Sequence, residues 1–223
     1  MFEKDTLVLQ RRARIEDIGS FIRHLRISIR LKSLQPLLAV IKSCPFIQNL
    51  YLLLYPHHSH QALDPLSLLK TLPIRCLILY SFTYKLHLSA IDTQAPLSVN
   101  LTHLLLHLES IEDFDMANCK TSALAPNLTH LLLWTTFNLK ETIIRRLLDH
   151  CPRLFVFIFR AYLMKEEYLP LMDDPQKRLL LMEGISGSHI ELWRTVEIGS
   201  YNLWDLVDEL QAIRKSGYLY CYH

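Results

Sequence analysis

Apolar positions recur along this chain in the skeleton LxxLxL, at near-equal intervals. The skeleton is carried by Ile22, Leu25 and Ile27, by Ile47, Leu50 and Leu52, by Ile74, Leu77 and Leu79, by Leu101, Leu104 and Leu106, by Leu128, Leu131 and Leu133, and by Leu154, Phe157 and Phe159. Its central positions 25, 50, 77, 104, 131 and 157 are 25, 27, 27, 27 and 26 residues apart. A fixed period of this length marks stacked repeats, each one supersecondary unit that buries its apolar face against its neighbours. Two units are literally alike: NLTHLLL occurs at 100–106 and again at 127–133. From the central position onward the alternation has a period of two, which predicts a short strand with alternate side chains turned inward.

Between the strands the period changes to that of a helix. Leu34, Leu37, Leu38 and Ile41 fall at i, i+3, i+4 and i+7 and share one helix face. Asp64 and Pro65 read as an N-cap and a first-turn proline ahead of Leu66, Leu69 and Leu72. Asn138 with Glu141 makes a capping arrangement ahead of Ile143, Ile144, Leu147, Leu148 and Cys151. The connections near 84–92, 111–122 and 161–172 show no such period and are read as irregular turns.

One unit is therefore strand, turn, helix and return, and in two places a Cys-Pro pair stands before the strand: CPFIQNLYLLL from Cys44 and CPRLFVFIF from Cys151, with PNLTHLLLW from Pro126 keeping the pattern without the Cys. This resembles the cysteine-containing leucine-rich repeat over about residues 20–160. The resemblance implies an α/β solenoid, or horseshoe, with parallel strands on its concave face. The expected organisation is one continuous domain, with an N-terminal cap at 1–21, six units of 25–27 residues at 22–174, and a divergent α/β capping segment at 175–223. Such repeats form the substrate-recognition part of F-box proteins in Skp–cullin ubiquitin ligases, and the texture here is similar to the large sets of such proteins in mushroom-forming fungi. An F-box is a helical module of about 40–50 residues, and MFEKDTLVLQRRARIEDIGSF before the first strand does not fit one. Binding of a Skp-type adaptor is thus expected only if the chain is a fragment lacking that module, and a freestanding repeat scaffold is the alternative.

The register draws a surface. Residues between the skeleton positions are expected on the concave face, where strands about 4.8 Å apart align equivalent positions in columns. One column reads Arg26, Tyr51, Ile78, Leu105, Leu132, Ile158, and the next reads Ser28, Leu53, Tyr80, His107, Trp134, Arg160. The column before them reads His24, Asn49, Cys76, His103, His130, Val156. An exposed apolar ladder of this size marks a binding site, which places partner binding on Tyr51, Leu53, Ile78, Tyr80, Leu105, His107, Leu132, Trp134, Ile158 and Arg160, with Tyr51, Tyr80 and Trp134 as aromatic anchors. The competing expectation is that the C-terminal segment folds over this face, or that the strands bury it. In that segment KRLLLMEG at 177–184 reads as one more strand centred on Leu180. NLWDLVDELQAIRK then places Leu203, Leu206, Val207, Leu210 and Ile213 on one helix face, with Asp205, Asp208 and Glu209 outside it. An amphipathic cap over the last repeat is its expected role, and a partner-groove helix is the alternative.

Chemistry adds little to this picture. His103 and His130 are expected to be neighbours, and HHSH at 57–60 concentrates three more histidines, but no CxxC or HExxH pair anchors a metal. GISGSH at 184–189 departs from the GxSxG nucleophile elbow at Ser188, which leaves Ser186 a loop residue. A non-catalytic protein-recognition module is the expected function, with no cofactor, no metal and a protein as partner; a small hydrolase or metal enzyme is the weaker reading. Of the 223 residues 50% are hydrophobic and 21% charged, enough for a continuous core, and only 5 are glycine, too few for phosphate-cradling loops. The net charge of +2 gives no general attraction to nucleic acid or membrane, although Arg11, Arg12, Arg14, Arg23, Arg26, Arg30 and Lys32 make the first repeat basic. No signal-type apolar region follows MFEKD, and no apolar run approaches ~20 residues. The five scattered cysteines read as reduced, so a monomer in the cytoplasm or nucleus is expected, and NLT at 100–102 and 127–129 is repeat pattern rather than a glycosylation signal.

Overall fold

Each apolar skeleton becomes a strand, and the strands lie side by side in chain order. A computed structural model describes residues 19–31, 35–56, 69–81, 96–108, 126–135, 141–151, 153–160, 178–183 and 203–216. Its strands are β1 (His24–Leu31), β2 (Asn49–Pro56), β3 (Cys76–Ser81), β4 (His103–Leu108), β5 (His130–Thr135), β6 (Phe155–Arg160) and β7 (Leu179–Glu183). They form one open, wholly parallel sheet in the order β1 to β7. One strand per turn, each paired to the next, is compatible with a solenoid-like coil. The described helices are α1 (Gln35–Ser43), the short α2 (Pro96–Asn100), α3 (Glu141–His150) and α4 (Leu203–Lys215). None of them is long and apolar enough to cross a membrane.

The expected register holds from β1 to β5. Leu25 pairs with Leu50, Leu50 with Leu77, Leu77 with Leu104, and Leu104 with Leu131. It fails by one residue at β6, where Leu131 pairs with Val156 and Leu132 with Phe157. The physical cause is a shorter lead-in. Leu154, fully buried, stands two residues before the central Val156, whereas Leu128 stands three before Leu131. RLFVFIF is apolar at both parities, so alternation could not fix its phase, and a one-residue slip exchanges the two faces of a strand. Ile158 and Arg160 therefore stand in the rows of Leu133 and Thr135, and the ladder positions expected for them belong to Phe157 and Phe159. The same correction carries into β7, whose centre is Leu179, paired with Val156, rather than Leu180.

One face of the sheet is covered by the inter-strand segments. Leu37 and Ile41 of α1, Leu69, Leu72 and Leu97 from later turns, and Ile144 and Leu148 of α3 pack on Leu50, Leu52, Leu77, Leu79, Leu104, Leu106, Leu131 and Leu133 in one continuous core. The helix over 35–43 and that over 141–150 thus follow the helical periods of the sequence, while Leu34, Leu66 and Asn138 lie outside the described residues. At the N-terminal end a 3-10 turn, Gly19–Phe21, leads into β1. A Cβ on Gly19 would overlap the Ser43 backbone carbonyl, so only glycine allows this turn to close on the end of α1. At the other end the buried Arg178 donates to the Leu148 carbonyl at 2.6 Å and the Cys151 carbonyl at 3.3 Å. Both carbonyls stand at the C-terminal end of α3, where a cation is favoured.

The literal repeat NLTH has a structural role. Thr102 and Thr129 donate their hydroxyls to the carbonyls of Arg75 and Thr102, one turn back, each at 3.1 Å. Asn127 donates its side-chain amide to the Val99 carbonyl at 2.6 Å. The backbone does the same: the amides of Thr129 and His130 both reach the Thr102 carbonyl, and those of Thr102 and His103 both reach Arg75. Each turn is thus tied to its predecessor just before the strand begins, by side chain as well as main chain.

Candidate binding face

The second face of the sheet carries the ladder, and it is not open. Tyr51, Leu53, Ile78, Leu105, Leu132 and Leu180 are buried together with Cys76 and with Trp204 and Val207 of α4, and Trp134, Phe155 and Leu210 pack against this second core. Tyr51 is 1% exposed and Leu132 1%, values of an interior. The expectation of an exposed partner-binding ladder is thus corrected, and the competing one, that the C-terminal segment folds over this face, is what the structure shows. The reason is apparent in the strands themselves. LYLLL, CLIL and HLLL are apolar at nearly every position, the pattern of parallel strands buried on both faces. His107 is buried as well, at 5%, and Trp134 is half-buried. The side chains of Tyr80, Ile158 and Arg160 lie outside the described ones.

Helix α4 crosses the strands near their N-terminal ends. Trp204 at its start donates its indole N–H to the Cys76 Sγ of β3 at 3.2 Å, and its ring meets His103 of β4 edge-on at 4.8 Å. One turn on, Asp208 Oδ1 lies 3.0 Å from His130 Nε2 of β5. At the far end the Lys215 ammonium stands 4.8 Å above the Phe155 ring of β6. A helical turn rises about 5.4 Å and neighbouring strands are about 4.8 Å apart, so each turn of α4 advances by about one strand. Its buried face is Trp204, Val207 and Gln211, with Leu210 beside them: Val207 and Leu210 belong to the expected stripe, Trp204 and Gln211 do not, and the side chains of Leu203 and Leu206 lie outside the described ones. Ile213 is 37% exposed; Asp205, Asp208 and Glu209 are exposed as expected, although Asp208 also reaches His130. The sequence signal for the difference is Trp204, three residues before Val207 and outside the aliphatic stripe.

Beneath α4 lies the histidine pair expected from the repeat register. His103 and His130 stack face to face, with centroids 4.4 Å apart and planes within 1°. Each Nδ1 is 2.8 Å from the hydroxyl of the preceding threonine, Thr102 or Thr129. Burial and then the neighbouring His130 hold His103 down to about 4 from its ordinary 6.5. Burial also lowers His130, against the upward pull of Asp208. Cys76, beneath Trp204, is pushed up to about 11 by burial, which keeps it a thiol and unreactive. Among the described residues no group of three or more His, Cys, Asp or Glu side chains is arranged to hold a metal ion. Cys44, Cys76 and Cys151 are free thiols.

Among the described residues, the second face carries exposed side chains toward β1. His24 and Ser28 are exposed there, and the Arg26 guanidinium lies 5.1 Å over the Tyr51 ring, closing the apolar ladder with a solvated cation. The HHSH loop at 57–60 and Ser186 lie outside the described residues. Comparison of the chain with protein-family models, with curated proteins and with solved structures gives no match in any of the three.

Proposed function

We propose that the chain is a non-catalytic protein-recognition module of the leucine-rich-repeat kind, and that the ligand of its strand ladder is an amphipathic helix. The observation that carries this reading is that the ladder already holds such a helix, its own α4. Helix-in-groove recognition reads anchors at i and i+3 or i+4 along one helix face, and Trp204, Val207 and Asp208 supply that spacing. A competing helix would present an aromatic residue, an aliphatic residue three positions on, and an acid next to it. The Cys-Pro-bounded repeats support substrate recognition in a Skp–cullin ubiquitin ligase as the setting, in the cytoplasm or nucleus.

The test uses a fluorescein-labelled peptide copying residues 201–217, titrated against the full chain and against Val207→Asp, which loosens the resident helix. The peptide should bind the variant at least about 10-fold more tightly than the parent, because a site filled by its own helix is available only in proportion to its open fraction. If Val207→Asp retains its circular dichroism and binds no peptide, the ladder does not receive helices. The freestanding scaffold, in which α4 is a permanent layer, is then the better reading. One observation favours that second reading: Val207 is 0% exposed, as deeply buried as any strand residue.

A further inference from the structure

We propose that the stacked His103–His130 pair is an acid-operated latch: proton uptake by the pair releases α4 from the second face while the first core stays closed. The pair is placed for this, since it is a titratable polar contact between the sheet and the helix. Trp204 closes over both rings, at 4.8 Å from His103 and 6.1 Å from His130, and Asp208 meets His130 from the same helix.

With the helix seated, the arrangement suits two neutral rings. For this the hydroxyls of Thr102 and Thr129 turn their single hydrogen from the Arg75 and Thr102 carbonyls to an Nδ1, leaving Nε2–H of His130 to donate to Asp208. A first proton is partly accommodated at His130. Its Nδ1–H then donates to Thr129, whose hydroxyl turns to the Thr102 carbonyl at 3.1 Å, and Asp208 balances the charge. A second proton finds the same relay through Thr102 to the Arg75 carbonyl but no carboxylate in contact, since Asp208 meets His130. On His103 it would stand 4.4 Å face to face with a charged ring, against Trp204.

The other charged and titratable groups around the pair among the described residues do not relieve it. Lys215 of α4 adds a positive charge above Phe155, whose ring leans on His130 at 5.6 Å, and Cys76 of β3 is a neutral thiol on the other side of Trp204. Asp205 of α4 is exposed, and along the row on the sheet lies Asn49 of β2, bonded to His24 of β1. Once α4 lifts, both rings meet water and regain their ordinary proton affinity. Protons therefore bind the open form in preference and draw the equilibrium toward it. The low affinity of His103 in the closed form, at about 4, agrees in sign.

The opening does not depend on what the ladder binds. Its regulatory sense, uncovering the ladder for a competing helix, rests on the recognition reading above. The experiment contains no partner, so the two can fail separately. The full chain is labelled with 4,4'-dithiodipyridine between pH 7.5 and 5, with Cys76 and Cys44 quantified by peptide mass spectrometry and their rates normalised to an unfolded cysteine peptide. A ring that passes from 6.5 to about 4 on closure would raise the open fraction at most about 30-fold at pH 5, and partial solvation reduces this to about 10-fold. Labelling of Cys76 should therefore rise about 10-fold while Cys44, fully buried in the first core, stays protected. The doubly substituted His103→Phe, His130→Phe chain, which keeps the ring stack without the titration, should lose the rise. Should that variant fold poorly, hydrogen exchange of the 203–215 peptide in the parent chain, corrected for intrinsic pH dependence, gives the same answer: selective deprotection in acid. A Cys76 rate flat with pH, an equal rise in Cys44, or an undiminished rise in the Phe variant each overturns the latch.

Discussion

At the scale of single residues, the recurring NLTHLLL separates two kinds of work that its neighbours share. Leu131 is 3% exposed inside the first core, whereas Thr129, two residues before it, is half-buried and holds one hydroxyl bond to the preceding turn. Truncating a packed leucine typically costs about 2–5 kcal/mol, and losing one hydrogen bond about 0.5–1.5 kcal/mol. Leu131→Ala should therefore lower the chemical-denaturation midpoint several times further than Thr129→Ala. Equal effects would mean that the inward phase of β5 is misassigned. This phase was legible because polar Thr and His precede the apolar run and mark where it begins. In RLFVFIF the apolar residues continue through both parities and the lead-in is one residue shorter, so nothing local distinguished Val156 from Phe157 as the centre.

At the scale of elements, the buried side of α4 runs from Trp204 through Val207 to Gln211 and leaves Ile213 outside. Trp204 is 8% exposed and Val207 0%, against 37% for Ile213 near the end. Removing a buried aromatic typically costs about 3–5 kcal/mol, and exposed substitutions fall within about 0.5 kcal/mol. Trp204→Ala should thus lower the thermal midpoint markedly and Ile213→Ala hardly at all; the reverse order would place the helix on its other face. Trp134→Ala should also lower the midpoint, because its ring packs against the second core instead of standing free. A helix over these residues was readable from their heptad-like spacing, but its orientation was not. Val207 and Leu210 of the expected stripe face the sheet, but Ile213 gives way to Trp204, a rotation set by a sheet surface far away in sequence.

At the scale of the whole molecule, two cores share one sheet and respond differently to acid. His103 and His130 both hold protons less tightly when folded than the ordinary 6.5. The unfolded chain therefore binds more protons as pH falls, and stability declines with it. Their contribution is fully present above about pH 6.5 and is lost progressively down to about pH 4. The melting midpoint at pH 5 should lie below that at pH 7.5, and replacing both histidines by Phe should narrow the gap; an unchanged gap would assign acid sensitivity to other groups. The period of the repeats announced the parallel sheet and its first core, since neighbouring turns create both. The second core was open to two readings, because it joins residues as distant as Cys76 and Trp204, 128 positions apart.

That distance also sets an order of events during synthesis. Every strand of the ladder precedes α4 in the chain, so the ribosome completes the whole apolar surface before the helix that hides it exists. At about 5–20 residues per second, the stretch between Cys76 and Trp204 takes on the order of 6–25 seconds to make. For that interval the nascent sheet presents Tyr51, Ile78 and then Leu105 to solvent, which makes it a natural client for holding chaperones. A ribosome that terminates shortly before the codon for Trp204 would release a chain with its first core formed and its second face bare, prone to associate through that face.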